Sequence, residues 1–250
     1  MPEILAQALA LPGLGWIAIA AFVGGMVRGF SGFGTAMIFL PITALFVSPL
    51  WAIMFLITMD LFGPLPILPR AMRDARWRDL LLLTGMAALF VPVGLWLLSI
   101  IAPETYRYII SGVALTLVAC LIGGLRYRGV PGVPLIGATG AISGVAGGLA
   151  GVPGPPVVLL YMASSLPVIA VRANMLLFLF LIDWVLLAVI GLRGELDATP
   201  LLIGVLLALP NALGNLAGQA IFDPNRAGLY RGVAYAIVAI SAVMGLPVWD

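Results

Sequence analysis

Gly25-Met26-Val27-Arg28-Gly29-Phe30-Ser31-Gly32-Phe33-Gly34-Thr35 interrupts an otherwise apolar run and leads on to Pro41. A second stretch, Gly144-Val145-Ala146-Gly147-Gly148-Leu149-Ala150-Gly151-Val152-Pro153-Gly154, does the same 119 residues later and leads into Pro155 and Pro156. Laid over one another without a gap, the two share glycine at 25/144, 29/148 and 32/151. In a helix interior glycine costs about 1 kcal/mol and proline about 3 kcal/mol relative to alanine. Two such clusters at matching places predict an all-α integral membrane protein built as an inverted repeat of two five-segment units, with broken or re-entrant helices at the glycine-rich stretches. The first repeat is placed at residues 1–128 and the second at 129–250, within one membrane domain.

Composition sets the class. Of 250 residues, 63% are hydrophobic and only 9% charged, too apolar for a soluble globule with a polar surface. A lipid interior satisfies no backbone groups, and the apolar runs are long rather than alternating, so helices are expected and not a barrel. All twelve basic residues are arginine and histidine is absent. A net charge of +2 scattered over loops excludes nucleic acid as a partner. The single cysteine, Cys120, reads as a small buried hydrophobe. Residues 1 to 12 carry Glu3 and no basic region, so no signal peptide is expected there.

Ten apolar segments follow in order: 14–27, 35–47, 50–68, 80–101, 108–125, 133–149, 155–165, 173–192, 201–221 and 232–248. At 1.5 Å rise per residue the longer ones suit a bilayer core of roughly 30 Å, whereas 155–165 reaches only about half of it. The repeat extends past the glycines. The run ending at Asp60 lies over the run ending at Asp183, Pro92 resembles Pro210, and Tyr106-Arg107 resembles Tyr230-Arg231. The loop from Arg70 to Asp79 carries four arginines and is assigned to the cytoplasm. Treating each glycine stretch as the tip of a hairpin puts Arg126, Arg128, Arg172, Arg226 and Arg231 on the same side; treating it as a full crossing weakens that bias. Under the hairpin reading the two tips enter from opposite faces and meet near the midplane.

At a helix break the first N–H groups of the following half-helix lack partners and lie at the positive end of its dipole, which suits an anion. The first copy offers Gly29, Gly32 and Gly34 for close backbone approach, hydroxyls on Ser31 and Thr35, and apolar walls from Phe30 and Phe33. The second offers Gly148, Gly151, Val152, Pro153 and Gly154, with Pro155 and Pro156 removing donors, and is the poorer set. The competing reading is that both stretches are small-residue surfaces for close helix packing. Arg28 is either an anion ligand or a guanidinium reaching the interface. Asp60 and Asp183 either carry a coupling proton or pair structurally. Asn174, Asn211 and Asn215 either line a pathway or bond neighbouring helices; Asn211, Asn215 and Gln219 share one helix face.

With these motifs in hand, the glycine stretch before Pro41, its echo before Pro155-Pro156, Arg172-Ala173-Asn174, and the run from Pro210 through Gly214 and Gly218 to Tyr230-Arg231 resemble the TauE/SafE family, also called the 4-toluene sulfonate uptake permease family. The resemblance covers nearly the whole chain. It implies a multi-pass protein of the bacterial inner membrane that transports sulfite, sulfoacetate or another organosulfonate, with the lipid bilayer and a small anion as its partners and no cofactor. The run Pro153-Gly154-Pro155-Pro156 departs from the more glycine-rich pattern of that family, so the two half-sites are not expected to be equivalent.

Two other classes stand beside a carrier. An intramembrane enzyme would have to work through Asp60 and Asp183 in direct proximity, because histidine, lysine and a second cysteine are missing. A passive channel would carry the anion without saturation. No nucleotide loop is present, since its lysine is absent from the chain.

Overall fold

Each of the ten apolar runs becomes a helix in the computed structural model, which describes residues 11–31, 34–62, 65, 68–123, 129–162, 166–221, 223 and 227–249. In chain order they are α1 (Leu14–Ser31), α2 (Thr35–Thr43), α3 (Pro49–Asp60), α4 (Leu68–Asp74), α5 (Trp77–Ile100), α6 (Pro103–Ile122), α7 (Val133–Ala150), α8 (Gly154–Met162), α9 (Val168–Leu192), α10 (Ala198–Ile221) and α11 (Ala227–Gly245), followed by one 3-10 turn at Pro247–Trp249. The extra element is α4, which lies partly inside the expected arginine loop. The segment expected over 50–68 stops at Asp60 instead, because Gly63, Pro64 and Pro66 follow within six residues and proline cannot continue a helix. The glycine-rich stretches separate α1 from α2 and α7 from α8.

Among the described residues five helices, from α5 through α7 together with α9 and α10, are long and apolar enough to cross a membrane. The chain is a multi-pass membrane protein. On α5, Trp77 and Trp96 are both exposed. They stand about 28 Å apart along the helix, the spacing of the two aromatic belts that flank a hydrocarbon core of roughly 30 Å. Leu81, Leu89 and Val93 are exposed between them.

The chain divides into two compact units, each drawing on both halves of the sequence. The first contains α1, α2, α3 as far as Met59, the beginning of α6, α10 and α11. Here α10 lies parallel to α1 at backbone contact distance. A Cβ on Gly25 would lie 2.2 Å from the carbonyl oxygen of Asn211, and one on Gly29 would lie 2.3 Å from that of Asn215. The carbonyls of Phe22 and Met26 press equally closely on Gly214 and Gly218. Only hydrogen fits in these positions, which is how two apolar helices pack closely without a hydrophobic drive between them. At the far end of this unit the buried Arg107 guanidinium closes α11: Nε donates to the Gly245 carbonyl at 2.9 Å and Nη2 to that of Leu246 at 3.2 Å. A cation at a helix C-terminus satisfies orphan carbonyls and complements the dipole.

The second unit contains α4, α5, the end of α6, α7, α8 and α9. Its parallel pair is α5 and α7, with the carbonyls of Ala87 and Val91 against Gly144 and Gly148, and that of Val145 against Gly94. Asn174, wholly buried on α9, joins three elements. Its Oδ1 accepts from the Arg76 backbone N–H at 2.8 Å, and its Nδ2 donates to the Tyr161 hydroxyl at 2.9 Å. Arg76 also pairs with Asp79 at 2.8 Å.

These two sets of contacts share one spacing in the sequence. The groups opposite Gly25 and Gly29 belong to residues 211, 215, 218 and 219, and those opposite Gly144 and Gly148 to residues 87, 91, 94 and 95, each 124 positions earlier. Tyr106 and Tyr230 are separated by the same 124 residues. Pro92 and Pro210 are separated by 118 and so do not share the spacing of these contacts.

Candidate functional site

The first glycine stretch folds α2 back along α1. Thr35, the first residue of α2, sits against Gly24, and its Oγ1 donates to the Gly24 carbonyl at 3.4 Å. Further along, the Phe46 ring lies against Gly13, so the two segments run antiparallel. The turn into α2 is made by Gly34 at φ 109° and ψ −9°, a left-handed conformation that favours glycine. A side chain there would also press on Val27, whose Cγ1 would be 3.3 Å from the added Cβ.

The consequence is a helix start inside the unit. Gly24 is about 15 Å along α1 from Leu14, so α2 begins well short of the end of α1. No side chain caps α2. By helix geometry the N–H groups of Thr35, Ala36 and Met37 have no intrahelical partner, and they point toward the Ser31 end of α1 with the positive end of the α2 dipole. Such a start can hold a small anion with three backbone donors.

The second stretch is different in kind. α7 ends on Gly151 at φ 69°, with the Gly151 N–H donating to the Gly147 carbonyl and the Val152 N–H to that of Ala146. Pro153 then packs on Gly147, and α8 starts at Gly154. The next two residues are Pro155 and Pro156, which carry no N–H, so two of the three donors present at α2 are missing here. Val152 is buried. Gly148 is occupied with the α5 backbone.

The remaining expected residues fall as follows. Gly29 is engaged with α10, and Phe30 is buried with its ring 5.5 Å from that of Tyr230. Arg28 lies half-buried in the last turn of α1, where its charge also suits the helix dipole. Gly32, Phe33 and the side chain of Ser31 lie outside the described residues. Asp60 ends α3 and Asp183 is buried in α9; both interact within the protein, as does Arg28. Asn211 is buried and its Nδ2 donates to the Ala21 carbonyl at 3.4 Å. Asn215 Oδ1 accepts from Gln219 Nε2 at 2.5 Å. Among the described residues no cluster of acidic or cysteine side chains could hold a metal.

A family model described as sulfite exporter TauE/SafE matches residues 17–244, nearly the whole chain. The chain belongs to the TauE/SafE family. No curated protein and no solved structure matches it. TauE/SafE is a family of membrane transporters, in keeping with the apolar spans described above. The matched region includes both glycine stretches, the α1–α10 and α5–α7 contacts, and Tyr230. Tyr230 could not have been singled out for its partner by sequence reading, because its contact with Phe30 depends on how α11 returns past α1.

Proposed function

We propose that this TauE/SafE chain is a secondary transporter of a small sulfur-containing oxyanion, sulfite or an organosulfonate, in a bacterial inner membrane. The anion is held at the start of α2 by the N–H groups of Thr35, Ala36 and Met37, with the Ser31 hydroxyl and Arg28 as further ligands. The observation that carries this reading is an uncapped helix start set back along its neighbour: α2 begins beside Gly24, about 15 Å along α1 from Leu14 and short of the Ser31 end. N–H groups without an intrahelical partner are costly in lipid unless another group meets them, and a small anion with several acceptor oxygens suits all three. The start of α8, with Pro155 and Pro156, takes no equivalent role.

The same reading takes residues 1–128 and 129–250 as two inverted copies of one five-segment unit. The shared 124-residue register of the helix contacts supports duplication. An odd number of segments per copy turns the second over in the membrane. Asp60 and Asp183 are the two acids available for proton coupling.

The test is uptake into proteoliposomes of radiolabelled sulfite, sulfoacetate, sulfate and acetate, with and without a pH gradient. Saturable uptake of the sulfur anions is the expected result, and stimulation by the gradient would assign proton coupling. Saturable uptake confined to acetate would overturn the substrate class, and flux that rises without saturation would make the protein a channel.

A further inference from the structure

We propose that Arg73, Arg78 and Arg172, with Met72 and Trp77 beside them, bind the headgroup of an anionic phospholipid. The inference is independent of the anion site at α2 and lies wholly within the second unit. Arg73 belongs to α4, Arg78 to the first turn of α5, and Arg172 to the start of α9. Two bonds bring these elements together. The Arg76 backbone N–H donates to Asn174 Oδ1 at 2.8 Å, which ties the start of α5 to α9. Arg172 is two residues from Asn174, about 3 Å along the helix axis. Trp77 Nε1 donates to the Met72 carbonyl at 3.0 Å, which holds the end of α4 against the start of α5. α4 itself packs on α9, with Ala71 buried and Met72 and Arg73 exposed.

Charge is unbalanced on this surface. Arg70, Arg73, Arg76, Arg78 and Arg172 are set against Asp74 and Asp79 alone. Asp74 pairs with Arg70 at 4.0 Å and Asp79 with Arg76 at 2.8 Å. The other three arginines are exposed, and among the described residues no carboxylate lies within 4.0 Å of them. Each guanidinium is a planar fork of donors that matches the oxygens of a phosphate group. Their level in the membrane suits a lipid phosphate. Trp77 marks one edge of the hydrocarbon core by its spacing from Trp96, and Arg78 follows it directly. A soluble oxyanion would use the charges and gain nothing from the exposed Met72 and Trp77. A phospholipid carries its phosphodiester beside glycerol and acyl chains, so it uses both, and a basic surface interleaved with apolar side chains is what binds an anionic interface.

The experiment is native mass spectrometry of the full chain in detergent, titrated with phosphatidylglycerol and, in parallel, with phosphatidylcholine. Each of Arg73→Gln, Arg78→Gln and Arg172→Gln is expected to weaken the tightest-bound phosphatidylglycerol about fivefold, and the triple variant about a hundredfold, with phosphatidylcholine unaffected. If the triple variant fails to fold, the three single variants carry the test. Arg193→Gln is the control: Arg193 pairs with Glu195 about 30 Å away along α9, so this variant should bind as the parent does. Unchanged affinity in the variants, or an equal loss in Arg193→Gln, overturns the proposal, as does equal binding of the two lipids by the parent. Glycerol phosphate, the headgroup without its chains, separates the sources. Failure of glycerol phosphate to displace the lipid, together with weaker phosphatidylglycerol binding in Trp77→Ala, supports a lipid site, whereas displacement would make this a site for a soluble anion and overturn the lipid.

Discussion

Asn211 sets its backbone carbonyl against Gly25 so closely that a Cβ on the glycine would lie 2.2 Å from the oxygen, and Ala87 stands in the same relation to Gly144. Backbone cannot yield as a flexible side chain would. Gly25→Ala and Gly144→Ala are each expected to destabilise the protein by about 1–3 kcal/mol. Gly85→Ala and Gly112→Ala, which meet nothing within 4 Å, should stay within about 1 kcal/mol of the parent. Thermal unfolding in detergent separates the pairs, and equal losses in all four would remove close packing as the cause.

Asn174 uses both ends of its amide on the protein, so its replacement strands two groups at once. Asn174→Leu conserves volume and leaves the Tyr161 hydroxyl and the Arg76 N–H without their partner, a loss of about 1–3 kcal/mol. Tyr161→Phe removes the bond to Asn174 and leaves the Arg76 N–H bond in place, and should cost about 1 kcal/mol. If Tyr161→Phe proves the more damaging in denaturation measurements, the role assigned to Asn174 as the joint between α8, α9 and the start of α5 is wrong.

Arg107→Met removes both bonds that close α11 while keeping most of the buried stem. Hydrogen bonds from a charged donor are worth about 1.5–3 kcal/mol each where they are not replaced by water. Amide hydrogen exchange is expected to speed up in the last turn of α11 and to remain slow in α10. Acceleration spread evenly over both helices would mean that Arg107 supports the unit as a whole rather than one helix end.

The helices were legible because apolar run length and glycine or proline punctuation act locally. The segment expected over 50–68 ends at Asp60 because Gly63-Pro64 is a local stop. The glycine matches 25/144 and 29/148 could also be read, since each of these four glycines answers to a neighbouring backbone carbonyl. What the sequence could not show was which helix supplies that carbonyl: α1 packs on α10, distant by nearly the whole chain, and α7 on α5. That choice is made by tertiary packing. The inequality of the two breaks was visible in Pro155 and Pro156. The level at which α2 starts was not, because it depends on Thr35 returning to Gly24 rather than to the end of α1.

The most direct measurement of the anion site is equilibrium binding of radiolabelled sulfite to purified Ala36→Pro and Pro156→Ala variants. Proline at position 36 deletes one backbone N–H from the first turn of α2, where a helix tolerates it, and α8 already carries proline at the equivalent position of its own first turn. Loss of one hydrogen bond to a charged ligand should weaken binding roughly ten- to a hundredfold, with thermal stability nearly unchanged, while Pro156→Ala should bind as the parent does. Parental affinity in Ala36→Pro, or a loss confined to Pro156→Ala, would contradict an anion held at the start of α2.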